Sequence, residues 1–159
     1  MDILWEMEID TIFVNFQITK NPLFVWEAFK LCREHGKEVP DWVYEYFENV
    51  ASNLLSLSER EKMSKQRAAN EVYEALEMSQ LSPRDIFDRF SLYKRNQNIV
   101  QRICSLIEDK KKKVTHAVAA VSEEMKLEYG TVRKIFYDWL NDGVYTIFVY
   151  LAHHEYQNH

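Results

Sequence analysis

Val121-Ser122-Glu123-Glu124-Met125-Lys126-Leu127-Glu128-Tyr129-Gly130-Thr131-Val132-Arg133-Lys134-Ile135-Phe136-Tyr137-Asp138-Trp139-Leu140 holds two helical patterns with a short polar break between them. Val118, Val121 and Met125 recur at steps of three and four, which puts them on one face of a helix running from near Thr115 to near Met125. Lys126 to Glu128 reads as a turn, with Leu127 placed as an apolar plug between its flanking helices. The second helix would run from about Tyr129 to Leu140. Its Val132, Ile135, Phe136, Trp139 and Leu140 fall at i, i+3, i+4, i+7 and i+8, a buried stripe.

This stretch resembles the helix-turn-helix DNA-binding segment of many bacterial regulators, whose usual form is Val-Ala-x-x-x-Gly-Val-Ser-x-x-Thr-Val. Here Val121-Ser122 stands for the first pair, Leu127 for the plug and Thr131-Val132 for the start of the second helix. Two positions depart from the pattern. Lys126 replaces the usual Gly, and a turn residue with φ > 0 costs a Lys about 1 kcal/mol. Glu128 replaces the usual Ser; it is a weaker N-cap, although its charge suits a helix N-terminus. The resemblance spans residues 115–140. It implies double-stranded DNA as partner, with Tyr129 to Tyr137 in the major groove and a two-fold dimer on a palindromic site.

The outward face of the second helix would carry Gly130, Arg133, Lys134, Tyr137 and Asn141, joined at its start by Tyr129 and Thr131. Gly130 lets backbone approach a phosphate or base edge. Arg133 and Lys134 suit guanine or phosphate, and Tyr137 and Asn141 suit phosphates. An ordinary solvated face would look the same, and Glu128 and Asp138 would meet phosphates unfavourably. Just upstream, Lys110, Lys111, Lys112 and Lys113 form the chain's charge run. They read as phosphate contacts that raise affinity without sequence preference, or as lysines complementing a helix C-terminus.

Charge is distributed in the same sense. The 159 residues carry a net −5, which excludes an indiscriminate nucleic-acid glue. Residues 1–83 hold 8 Lys/Arg against 15 Asp/Glu, whereas residues 84–137 hold 12 against 7, so positive charge gathers around the motif. Two regions are expected on this basis: an acidic 1–83 that dimerises or binds a protein partner, and an 84–159 containing the motif. With 47% apolar residues a substantial core can form, and with three Gly and three Pro the connections should be short, which favours a mainly all-α, multi-helix fold.

Taken in order, residues 2–18 place Trp5, Ile9, Ile12, Phe13 and Phe16 on a helical stripe. Asn21-Pro22 is a helix start, and Gly36 ends that helix, whose inward side reads as Leu23, Trp26, Ala28, Phe29 and Cys32. Val39-Pro40-Asp41 opens the next, with Trp42, Val43, Tyr46, Phe47, Val50, Leu54 and Leu57 at helical spacing. Residues 21–57 are also similar to a segment of small uncharacterised bacterial proteins, through Asn-Pro-Leu-x-x-Trp-Glu-Ala and Pro-x-Trp-Val; that likeness implies no chemistry. Ser58 with Glu61 reads as a capping box opening a polar helix to about Met78. Ser82-Pro83 opens a helix with Ile86, Phe87, Phe90 and Tyr93 inward, and Asn96 to Asn98 should break it. Ile99, Ile103, Leu106 and Ile107 then supply a helix that completes a three-helix core with the motif. Val144 to Val149 suits either a final helix or a strand; as a strand it would pair with Thr11 to Val14 in a short terminal β-ribbon.

Enzyme chemistry finds little footing. There is no Gly-rich phosphate loop and no Cys pair at metal spacing; no cofactor is expected. His153, His154, Glu155 and His159 cluster at one end, with His116 upstream, but adjacent histidines on a helix diverge, so no metal site is expected. Cys32 and Cys104 read as reduced core thiols. Acidic residues interrupt the opening apolar residues, and no run of 18 apolar residues occurs, so no leader, no membrane span and a cytoplasmic setting are expected. The expected function is therefore a helix-turn-helix DNA-binding protein that regulates transcription. The alternative is a protein-interaction module, an adaptor or phage-type inhibitor, in which the motif only packs.

Overall fold

The computed structural model describes residues 3–59 and 63–141. Val144 to Val149 and the histidine cluster from His153 lie outside them, as do the side chains of Trp5 and Lys110. Seven α-helices and no strand are found among the described residues: α1 (Ile3–Thr19), α2 (Leu23–Glu34), α3 (Asp41–Ser58), α4 (Lys65–Ala75), α5 (Pro83–Lys110), α6 (Val114–Met125) and α7 (Tyr129–Asn141). The fold is all-α. Thr11 to Val14 lies inside α1, so it is not available as the strand of a terminal ribbon. The chain divides into two compact units, the first ending at Phe90 and the second beginning at Ser91, a boundary within α5.

In the first unit, α1 packs on α2, α2 on α3, and α3 on α4. Asn21 is wholly buried between helices. Its Oδ1 accepts the Leu23 N–H at 3.1 Å, at the start of α2 just past the N-cap Pro22, while its Nδ2 donates to the Ile86 carbonyl at 2.8 Å and ties α2 to α5. Aromatic edges do much of the remaining packing: Phe13 and Phe16 lie 5.2 and 5.9 Å from Trp42, and Phe24 lies 5.2 Å from Phe90. Tyr46 links three elements, accepting the Trp26 indole N–H at 3.3 Å and donating to the Leu76 carbonyl at 3.0 Å.

Several expectations for this unit are corrected. The buried face of α2 is Phe24, Val25, Ala28 and Cys32; Trp26 and Phe29 are 45% and 37% exposed, each resting one edge on Phe47. Phe87 is 59% exposed, although Ile86 beside it is buried. Ser58 is the last residue of α3, and Glu61, its expected partner in a capping box, lies outside the described residues. The cap of α4 is Ser64, whose hydroxyl accepts the Arg67 N–H at 3.3 Å, and α4 stops at Ala75. Asn96 to Asn98 does not break α5. Polar residues cost an interior helix position under about 0.7 kcal/mol each, less than the burial of Ile99, Val100 and Ile103 returns.

The core of the second unit is built from the C-terminal half of α5 with α6 and α7. Ile99, Val100, Ile103, Leu106 and Ile107 meet Ala117, Val118 and Val121, then Val132, Ile135 and Phe136, all buried. Arg102 Nε reaches both carboxylate oxygens of Glu124, at 3.2 and 3.1 Å, linking α5 to α6 at the surface. Cys104 belongs to this core, and burial followed by the charge of Glu108 pushes its thiol up to about 12. Both cysteines are free and buried.

Candidate nucleic-acid interface

The turn between α6 and α7 closes by backbone geometry that its sequence does not favour. Lys126 adopts the left-handed conformation, φ 55° and ψ 41°. This lets the Leu127 N–H reach the Ser122 carbonyl at 3.0 Å and the Lys126 N–H reach the Glu123 carbonyl at 3.3 Å, satisfying the end of α6 as a Schellman motif. The Ser122 hydroxyl donates back to the Leu127 carbonyl at 2.5 Å. Leu127 packs against the core of the unit, in the plug position. The Glu128 carbonyl then accepts the N–H groups of Thr131 and Val132 at 3.0 and 3.1 Å, starting α7.

Val132, Ile135 and Phe136 fix α7 in the core, with Trp139 and Leu140 half buried beside them. Trp139 lies 5.5 Å from the Tyr93 ring of α5. The opposite face turns outward with Tyr129, Gly130, Thr131, Arg133 and Lys134 exposed, and Asn141 exposed at its end. Tyr137 departs from the expected outward face: it is half buried against the core, its ring 5.5 Å from Phe136. The guanidinium of Arg133 lies over that ring, 5.3 Å from its centroid. Lys134 donates to Asp138 at 2.6 Å, a bond that holds its pKa above the ordinary lysine value. A Cβ added at Gly130 would meet nothing, so packing within the protein does not require glycine there.

The lysine run lies at the connection of α5 to α6. Lys111 is left-handed, with φ 49°. Lys111 and Lys113 are exposed and Lys112 is half buried. Lys113 caps α6 with its carbonyl, which accepts the His116 and Ala117 N–H groups at 2.9 and 3.0 Å. In the sequence Arg133 and Lys134 read as equivalent cations, which leaves out the parts played by Tyr137 and Asp138. The signal was their i, i+4 spacing from those two cations.

Among the described residues no three His, Cys, Asp or Glu side chains gather as a metal site would require, and no helix is long and apolar enough to cross a membrane. No family model, curated protein or solved structure matches the chain.

Proposed function

We propose that the protein binds double-stranded DNA through the outward face of α7 and regulates transcription in a bacterium or mobile element. The observation that carries this reading is the division of α7 into two faces. Val132, Ile135 and Phe136 anchor one, while Tyr129, Gly130, Thr131, Arg133 and Lys134 stand open to a partner on the other. Gly130 supports it further. A glycine within a helix costs up to about 1 kcal/mol relative to alanine, and no neighbour in the fold calls for its missing side chain. An approaching phosphate or base edge would. Lys110 to Lys113 and Asn141 add phosphate contacts, and the acidic first unit serves dimerisation on a two-fold site.

The test is fluorescence anisotropy with a random-sequence duplex pool at two salt concentrations, followed by sequencing of the bound fraction. Binding that weakens with salt and is lost in Arg133→Ala/Lys134→Ala supports α7 as the reading helix. Loss only when the lysine run is neutralised moves the contact there. Absence of binding at low salt refutes the reading.

A second reading has its own observation. Trp26 and Phe29 expose their rings on the acidic unit, next to Phe47, and exposed aromatics of this kind suit a protein–protein contact. In that reading the protein is an interaction module and α6–α7 only packs. Trp26→Ala/Phe29→Ala would then abolish partner binding while leaving any DNA binding intact.

A further inference from the structure

Two neighbouring cations on α7 are held in different ways. The Arg133 guanidinium lies over the Tyr137 ring, and that ring is itself braced by Phe136 and the core. No carboxylate among the described residues pairs with Arg133. Lys134, one residue on, has its ammonium on Asp138 at 2.6 Å. A Lys placed four residues before an acid is the weaker order of an ion pair on a helix, and both side chains are largely solvent exposed, so the pair does little for the fold.

We propose that these residues divide the work of the DNA-binding face, an inference that rests on the reading above. Arg133, pre-set on Tyr137, selects sequence, and Lys134 is a phosphate contact that Asp138 restrains. The guanidinium fork matches the O6 and N7 acceptors of guanine, and a side chain already ordered against a ring loses less freedom on binding. Lys134 can reach a phosphate only by leaving Asp138, whose carboxylate then stands beside the DNA backbone. The penalty applies to every sequence alike. Asp138 thus lowers indiscriminate binding and leaves the share owed to Arg133 to decide between sites.

The experiment compares wild type, Arg133→Lys and Asp138→Asn on two duplexes, one enriched from the random pool and one of equal composition in scrambled order, across a salt series. Circular dichroism checks that each variant keeps its helices. Arg133→Lys retains charge and is expected to lose about tenfold in affinity for the enriched duplex with little change on the scrambled one. Asp138→Asn is expected to bind both about threefold more tightly at low salt, with a salt dependence steeper by about one phosphate contact. Equal weakening of both duplexes by Arg133→Lys, a pool that binds without enrichment, or an Asp138→Asn variant unchanged in affinity and slope overturns the division while the DNA reading stands. If wild type binds neither duplex at low salt, the DNA reading fails and the division falls with it.

Discussion

The two units solve the same packing problem with different side chains. The first, through Phe90, adds to buried aliphatic residues such as Ile12, Val25, Val43 and Ile86 a set of aromatic ring contacts and polar side chains that bridge helices, such as Asn21 to Ile86 and Tyr46 to Leu76. The second is assembled almost wholly from aliphatic residues around Phe136. Rings with polar tips can be partly buried and partly wet, so the first unit displays Trp26 and Tyr44 at its surface. The second unit buries Val132, Ile135 and Phe136 of α7 and leaves a polar outer face with Arg133, Lys134 and Asp138 exposed. Charge follows the same division: residues 91–141 carry 10 Lys/Arg against 6 Asp/Glu, whereas residues 1–90 carry 10 against 17.

Substitutions sharpen or break this contrast, and the largest effect should come from the second core. Phe136 is fully buried, and Phe136→Ala should remove about 3–5 kcal/mol of stability, read by urea unfolding. The free thiols report where the loss falls. Cys104 should label much faster in the variant, because its burial and raised pKa protect it in the folded unit, while Cys32 in the first unit keeps its rate. Equal acceleration of both would show that the units open together.

Asn21→Ala comes next. It leaves the Leu23 N–H at the start of α2 without its acceptor and the Ile86 carbonyl without its side-chain donor, so a loss of about 2–3 kcal/mol is expected, with Cys32 now the faster-labelling thiol. A loss below about 1 kcal/mol would mean that polar bridges are incidental to the first unit.

Smaller effects compare the same turn in each unit. Gly36 ends α2 at φ 62°, with the Lys37 N–H on the Cys32 carbonyl at 2.9 Å, and Lys126 ends α6 at φ 55° with the matching bond. Gly36→Ala should destabilise and Lys126→Gly stabilise, each by about 1 kcal/mol in thermal unfolding. Opposite signs of equal size would establish that the strain at Lys126 is local. Smallest in stability is Gly130→Ala, expected to add about 0.5 kcal/mol because its Cβ points into open space. In the DNA reading it also weakens duplex binding, so a variant that gains stability and keeps full affinity counts against Gly130 as a point of close approach.

Legibility in the sequence tracked the same contrast. The stripe Val132, Ile135, Phe136 located α7 to within a residue at its C-terminal end, and the Ser82-Pro83 start of α5 is confirmed by the Ser82 hydroxyl accepting the Asp85 N–H at 3.1 Å. Lys126 stands where the helix-turn-helix pattern places a residue with φ > 0, and its φ is 55°. The α2 face differs from the expected one because hydropathy counts Trp26 and Phe29 as inward, whereas the packing of α2 buries Phe24, Val25, Ala28 and Cys32. Asn96 to Asn98 does not break α5 for a related reason: a weak local preference is overruled by the burial of Ile99, Val100 and Ile103.

By itself the sequence determined that the chain is helical, where most helices begin and end, and which aliphatic stripe each presents. Those properties depend on φ/ψ preference, capping and period, which act over a few residues. Only the tertiary structure decided which aromatic rings lie inside and that Tyr137 is half buried against the core of its unit. Those depend on how much space neighbouring helices leave and on where a side chain lies once its helix is anchored, which no local pattern encodes.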